Sequence, residues 1–245
     1  MSLSSDAVMA LFYDIDDDTA DHDDWHTYEH MHERLSVPGF IRATRWVAQT
    51  GTPRYLVIYE VADTRVATSP AYLERLNNPT EWTRAMMVRF RNMTRGFCTV
   101  VGSAGFGLGQ HALAIRFTPE EGRASALSEW LVREVLPAVA SRRGMAGIHL
   151  LRPEPPPPMT REQSIRGPDR PMSWVLLVTG YDADALCRAA EAHLDPELLV
   201  RHGATSDTVI GSYTLHYTAT ALEVSRSCPW PPLSSEARAS EGVRD

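Results

Sequence analysis

The stretch DDWHTYEHMHERLSVPGF, Asp23 to Phe40, sets His26, His30 and His32 beside Glu29 and Glu33 and stops at Pro38-Gly39. With His22, the histidines at 22, 26 and 30 fall at i, i+4 and i+8, one helical stripe with neighbouring Cβ atoms about 5–6 Å apart. Such a stripe is open to three chemistries. Imidazole can take and give a proton near pH 7, and His30 has Glu33 and His26 within reach along the helix to tune it. His26 and His30 could supply two metal ligands, with Glu29 or Glu33 adding oxygen. A usable site needs three or four ligands from more than one element, however, and nothing places His111, His149 or His216 nearby. No metal is assigned; a haem with a histidine axial ligand leaves no separate mark in the sequence. The third reading is a solvated polar face, and it is the expectation for His22 and His32.

The elements that must position these groups follow from periodicity. Ala7 to Ile15 (AVMALFYDI) reads as a strand ending in acidic turn residues. Asp21 to Ser36 reads as a helix with Trp25, Tyr28, His32 and Leu35 as its core stripe, ended by Pro38-Gly39. Phe40 to Gln49 and Arg54 to Val61 make a hairpin around a turn at Thr50 to Pro53. Ser69 to Met87 is helical, broken at Asn77-Asn78-Pro79, and Thr99 to Val101 closes the unit within a short last strand.

The order then repeats. Trp25 and Trp130, Glu29 and Glu134, and Gly39 and Gly144 are all 105 residues apart. The second copy reads as Gln110 to Phe117, a helix over Ser125 to Arg142, Gly147 to Leu151, Ser173 to Gly180, a helix over Asp184 to His193, and Asp207 to Thr218. A proline-rich loop, Pro153 to Pro171, replaces the tight turn of the first copy and reads as a rigid surface excursion. Two β-α-β-β-α-β units make an α+β chain of tandem ferredoxin-like repeats. Each four-stranded sheet has helices on one side, so the two bare faces cover each other, sheet to sheet, as a pseudo-dimeric α/β barrel. The expected divisions are 1–105, 106–223 with the insertion at 153–171, and a flexible tail at 224–245.

Composition narrows the function classes. With 43% apolar and 22% charged residues, 245 residues suffice for a sizeable core, and no apolar run spans a membrane. Net charge is −7 with no basic tract, which gives a phosphate backbone little to hold. Every basic residue is arginine, so Schiff-base chemistry on a lysine of this chain is excluded. Cys98, Cys187 and Cys228 are odd in number and widely spaced, against a disulfide framework. MSLSSDAVMALFYDI has no basic segment before its apolar stretch, so no signal peptide is read and a cytoplasmic location is expected.

The stretch Trp25 to Phe40 resembles a helix of the dimeric α/β-barrel superfamily, in particular its EthD-like and antibiotic-biosynthesis-monooxygenase-like members, with the pattern W-Y-x-x-E-H-x-P-E-R-L-x-x-P-G-F. Trp25, Glu29, His30, Glu33, Arg34, Leu35, Pro38, Gly39 and Phe40 match it; His26 stands where Tyr is usual and His32 where Pro is usual. The motif covers one helix and its exit, and the fold-level resemblance reaches Leu222. The resemblance implies a small-molecule pocket between sheet and helices, used by monooxygenases, isomerases, dehydratases and haem enzymes, so fold alone assigns no reaction. The second copy carries Val135 where the first has His30, and Pro137 where it has His32. A single active pocket would therefore lie in the first half.

The resulting expectation is a small-molecule enzyme working by proton transfer on an organic, aromatic or polyketide-like molecule. His30 is the acid/base, Glu33 or His26 tunes it, and no cofactor is obligatory. Tyr13, Trp25, Arg45, Tyr59, Trp82 and Met86 are the candidate lining residues. Core packing is the competing reading for Trp82 and Met86 and an equal one for Tyr13, Arg45 and Tyr59. A non-catalytic binding or stress-related module, or a purely architectural pseudo-dimer able to associate further, is the alternative. A pocket of roughly 300 Å³ or more at His30 is what an active site of this kind requires. The glycine-rich GSAGFGLG, Gly102 to Gly109, reads as the inter-repeat linker.

Overall fold

The computed structural model describes residue 3, residues 5–49 and residues 53–227. The first repeat runs β1 (Ala7–Ile15), α1 (Thr19–Trp25), a π-helical turn (His26–His30), α2 (Met31–Leu35), β2 (Phe40–Ala48), β3 (Tyr55–Val61), α3 (Pro70–Asn77), α4 (Glu81–Met87) and β4 (Phe90–Gly105). The second opens with β5 (His111–Phe117), α5 (Ala124–Trp130), a second π turn (Leu131–Val135), α6 (Leu136–Ala140) and β6 (Met145–Pro153). It continues with α7 (Arg161–Arg166), β7 (Trp174–Gly180), α8 (Ala183–His193), α9 (Pro196–Arg201) and β8 (Val209–Thr220), and α10 (Ala221–Arg226) follows.

Side-chain alternation decides the layers. From β1, Val8, Ala10 and Phe12 point inward and meet Ala112, Ala114, Val175 and Leu177 of the other repeat. Met9 and Tyr13, on the opposite face, pack under the helices of their own repeat. The strand orders are β4-β1-β3-β2 and β8-β5-β7-β6, and antiparallel pairing of β2 with β8 and of β4 with β6 closes the barrel. Closure leaves no unpaired edge in the barrel. Each repeat keeps its own helix-side core outside it. This is the tandem ferredoxin-like, pseudo-dimeric architecture expected.

Several elements differ from the sequence expectation. The short strand at Thr99 to Val101 is the middle of β4, whose 16 residues pair first with β1 and then with β6. Gly102 to Gly105 belongs to that strand and not to a linker; glycine serves there because a Cβ on Gly102 would lie 2.7 Å from Val132 Cγ2. The proline-rich insertion contains α7, and α9 was not anticipated, because helices of six residues carry little periodic signal. Helix α10 takes the first residues of the expected tail; the rest of that tail, Cys228 and the turn at residues 50–52 lie outside the described residues. Among the described residues no helix is long and apolar enough to cross a membrane.

Gly39, after Pro38, ends the histidine helix at φ +97°, where L side chains are strained, and a Cβ there would lie 2.6 Å from Val66 Cγ2. Gly39→Ala should therefore cost more than the ~1–2 kcal/mol of the left-handed conformation alone. Gly122→Ala, at φ +75° with nothing within 4 Å, carries the strain without the clash. Urea midpoints of the two variants should differ in that order; equal losses would show that Val66 gives way freely.

Candidate active site

Asp18 caps α1 by accepting from the Ala20 amide, and the helix then widens into the π turn. A π turn takes in an extra residue, which offsets the drift of residues four apart around an α-helix. His22, His26 and His30 consequently form a file facing the sheet, with ring centroids 5.4 and 5.6 Å apart and interplanar angles of 18° and 28°. Their exposures are 0, 3 and 8%. The expected solvated face is therefore a buried one for His22, while Tyr28, expected in the core stripe, is 40% exposed and His32 is half-buried. The same π turn recurs 105 residues later, where Leu127, Leu131 and Val135 stand in place of the three histidines, all buried.

Obligate donors settle the proton positions. Arg45 Nη1 lies 3.1 Å from His26 Nδ1, and a guanidinium only donates, so Nδ1 accepts and a neutral His26 carries its proton on Nε2. Nε2–H then donates to the Tyr59 hydroxyl at 3.1 Å, leaving the Tyr59 O–H to donate to another acceptor. Burial first, and then Arg45, holds the His26 imidazole well below its ordinary range. Arg45 is itself fixed by Thr27 Oγ1, the Asp23 carbonyl and His216 Nδ1.

A second chain runs through His22. Asp23 accepts from His22 Nδ1–H at 3.0 Å, so His22 Nε2 accepts from the Tyr13 hydroxyl at 3.1 Å. Burial lowers the His22 imidazole against the pull of Asp23. Burial also pushes the Asp23 carboxyl up, but His22 and Arg45 outweigh it and hold the group below its usual value. Tyr13, His22 and Asp23 thus form a relay from the protein interior to a partly exposed carboxylate.

His30 belongs to neither chain. Its ring packs on Trp25 with centroids 4.3 Å apart, and its buried Nδ1 has no hydrogen-bond partner among the described residues. Burial, and after it Arg34, pushes this imidazole well below its ordinary range. It faces a cavity of about 20 Å³, room for one water, walled by Tyr13, His26, Tyr59, Arg34, Glu162 and Arg166 among others. The expected pocket of roughly 300 Å³ at His30 is not found; the space there is about 20 Å³. The insertion closes it. Helix α7 packs against α3 and α4, buries Glu162 against Arg34, and holds Arg166 to Asp169, which also accepts from Arg95.

Of the anticipated residues, His30, His26, Tyr13 and Tyr59 meet at the cavity. Arg45 stands behind His26, and Trp25 behind His30, its Nε1 donating to Thr83 Oγ1. Trp82 donates to Asp21 at the edge of the helix, and Met86 packs in the core. Glu33 does not line the cavity; it sits half-buried with Arg75 at 3.8 Å, its carboxyl raised by burial. Sequence reasoning missed His22, Arg34, Glu162 and Arg166. The 105-residue offset onto Leu127 was a readable sign that His22 is buried; nothing local marked Glu162. Among the described residues no group of three or more His, Cys, Asp or Glu is placed to hold a metal.

The buried file makes stability depend on pH. Unfolded, these imidazoles take a proton near 6.5, about their ordinary value; folded, they resist it to lower pH. Between those points the unfolded chain binds more protons, so this stability is fully present above about pH 6.5 and is lost as pH falls. The slope there should approach ~1.4 kcal/mol per pH unit for each histidine. Exchanging the file for Leu, Leu and Val should flatten it in denaturation curves taken from pH 7 to 5; an unchanged slope would count against neutral burial.

No family model matches the sequence, and no curated protein matches it. Solved structures do. An anthrone oxidase-like protein aligns at 11% identity and TM-score 0.62, over 90% of this chain and 96% of its own. A monooxygenase candidate from Lactobacillus acidophilus aligns at 9% and 0.57, over 88% and 96%. Another from Fusobacterium nucleatum aligns at 10% and 0.56, over 89% and 95%. Likeness at such identities is likeness of fold. The protein has the dimeric α/β-barrel fold, with both ferredoxin-like halves of the barrel in one polypeptide.

Proposed function

We propose that the first repeat holds the active site of a small-molecule enzyme that works by proton transfer, with His30 as the general base. One observation carries this: His30 is buried beside a cavity with an unpartnered Nδ1, in a helix whose twin carries Val135 at the same place. A fold that needed only packing has a valine available there. His30 removes a proton from a carbon or hydroxyl of the substrate, and the Tyr59 O–H donates to the oxygen that gathers charge. His26 donates to Tyr59, and Arg45 keeps His26 in the tautomer that can do so. Arg34 and Arg166 favour the anion so formed, and that anion relieves the cost of a charged imidazole in a buried site.

An anion so generated is reprotonated elsewhere in an isomerase, expels hydroxide in a dehydratase, or is oxidised by O₂ in a cofactor-free monooxygenase. The name of the anthrone oxidase-like neighbour favours an aromatic or polyketide-like substrate. The small cavity favours one other reading, a non-catalytic binding module that opens for its ligand.

Hydrogen–deuterium exchange at the acidic C–H positions of a panel of anthrones and β-dicarbonyl compounds, followed by NMR, separates the two. Catalysed exchange is expected in the wild type and not in His30→Ala. Because His30 is held well below its ordinary range, the rate should stay level below pH 6.5 and fall only in more acid solution. Binding without catalysed exchange across the panel would leave the module reading.

A further inference from the structure

We infer that the cavity is a binding site for a small organic carboxylate, and that Glu162 is a built-in stand-in occupying its anion position against Arg34. Glu162 comes from the second repeat, on an insertion for which the first repeat has only a tight turn, yet it is 3% exposed and meets an Arg34 that is 2% exposed. Three guanidiniums, of Arg34, Arg95 and Arg166, line the cavity. Asp169 serves both Arg95 and Arg166. Glu162 is therefore the counter-ion of Arg34, and the neutral histidines and tyrosines beside it add no negative charge.

The remaining wall suits an organic body. Met9, Leu11, Met87, Phe90 and Met93 form an apolar side, and His30 lines the same cavity. An inorganic anion would leave the apolar side unused. Exchange is feasible because one ion pair replaces another: as Glu162 swings into water, the incoming carboxylate takes its place, so Arg34 is never left bare. The exchange requires α7 to give way, and α7 is short and bounded by breakers. Helix α7 has six residues, follows the run Pro155 to Pro158, and ends at Gly167, at φ +94° with open space around it. Calling the ligand a substrate rests on the proposed active site; its binding does not.

Benzoate is a direct probe, with benzamide as its uncharged counterpart and chloride as the inorganic anion, each titrated by calorimetry. Benzoate should bind Glu162→Gln at least tenfold more tightly than the wild type. Glu162→Asp, which keeps the charge, should stay near the wild type, and Arg34→Met should lose binding. Benzamide and chloride should follow none of this. Benzoate affinity unchanged in Glu162→Gln or in Arg34→Met, or matched by benzamide or chloride, would overturn the inference.

Variants are first checked for a folded baseline at the assay temperature. If Glu162→Gln is unfolded there, the wild type still decides: benzoate should raise its thermal midpoint progressively with concentration and benzamide should not. Equal midpoints in the two ligands would sink the idea. His30→Val separates this inference from the proposed reaction. Benzoate binding that follows the Glu162 and Arg34 pattern, together with proton exchange indifferent to His30, would keep the carboxylate site and discard the general base.

Discussion

Replacing His30 by valine should slow turnover sharply and stabilise the protein at once. The catalytic loss is that of a general base, about 10²–10⁴-fold in rate. The stability gain comes from removing a buried nitrogen with no partner, which costs roughly 1–3 kcal/mol where it stands. Valine fits, because Val135 occupies the equivalent position after the same π turn and is 4% exposed. Calorimetric midpoints and proton-exchange rates on the same preparations read both effects. The opposed signs are diagnostic: a group kept for function at the expense of the fold behaves this way, and a group kept for packing does not. A His30→Val protein that is less stable, or equally active, would remove His30 from the chemistry.

The second large effect lies at α7. Glu162→Ala leaves Arg34 buried and uncompensated and should cost ~3–5 kcal/mol, a fall in midpoint of roughly 6–20 °C for a chain of this size. Arg34→Met/Glu162→Leu removes both charges and should recover most of that loss. The double-mutant cycle isolates the pair, since both side chains are at most 5% exposed and salt screens them little. If the single and double variants lose the same stability, the pair is not what holds α7 down. Arg65 and Asp63 offer the contrast: that pair is largely exposed and screened by solvent, and breaking it should leave the thermal midpoint nearly unchanged.

Much of the fold was legible because it is written in local periodicity. The alternation in AVMALFYDI sorts Phe12 to the barrel and Tyr13 to the helix side, and the 105-residue offset carries the whole helix, π turn and exit into the second repeat. The phase of the histidine helix was not legible. A period of 3.6 assumes an unbroken α-helix, and the π turn at His26 to His30 shifts the phase beyond Trp25, so that His26 and His30, and not Tyr28 or His32, continue the buried face that His22 begins. Glu33 reads as His30's partner on spacing alone, but His30 ends the π turn and faces the sheet, while Glu33 lies toward Arg75.

From the sequence alone came two tandem β-α-β-β-α-β units, their mutual cover, and the assignment of ionisable chemistry to the first helix and not the second. These follow from contacts between near neighbours in the chain. The tertiary structure alone decided what surrounds His30. Tyr59 comes from β3, Arg45 from β2, and Glu162 from 128 residues beyond Arg34 in the other repeat. The tautomer of His26 depends on strands of its own repeat's sheet, and the filling of the cavity on Glu162 from the other repeat; side chains that meet only through tertiary packing leave no period in the sequence.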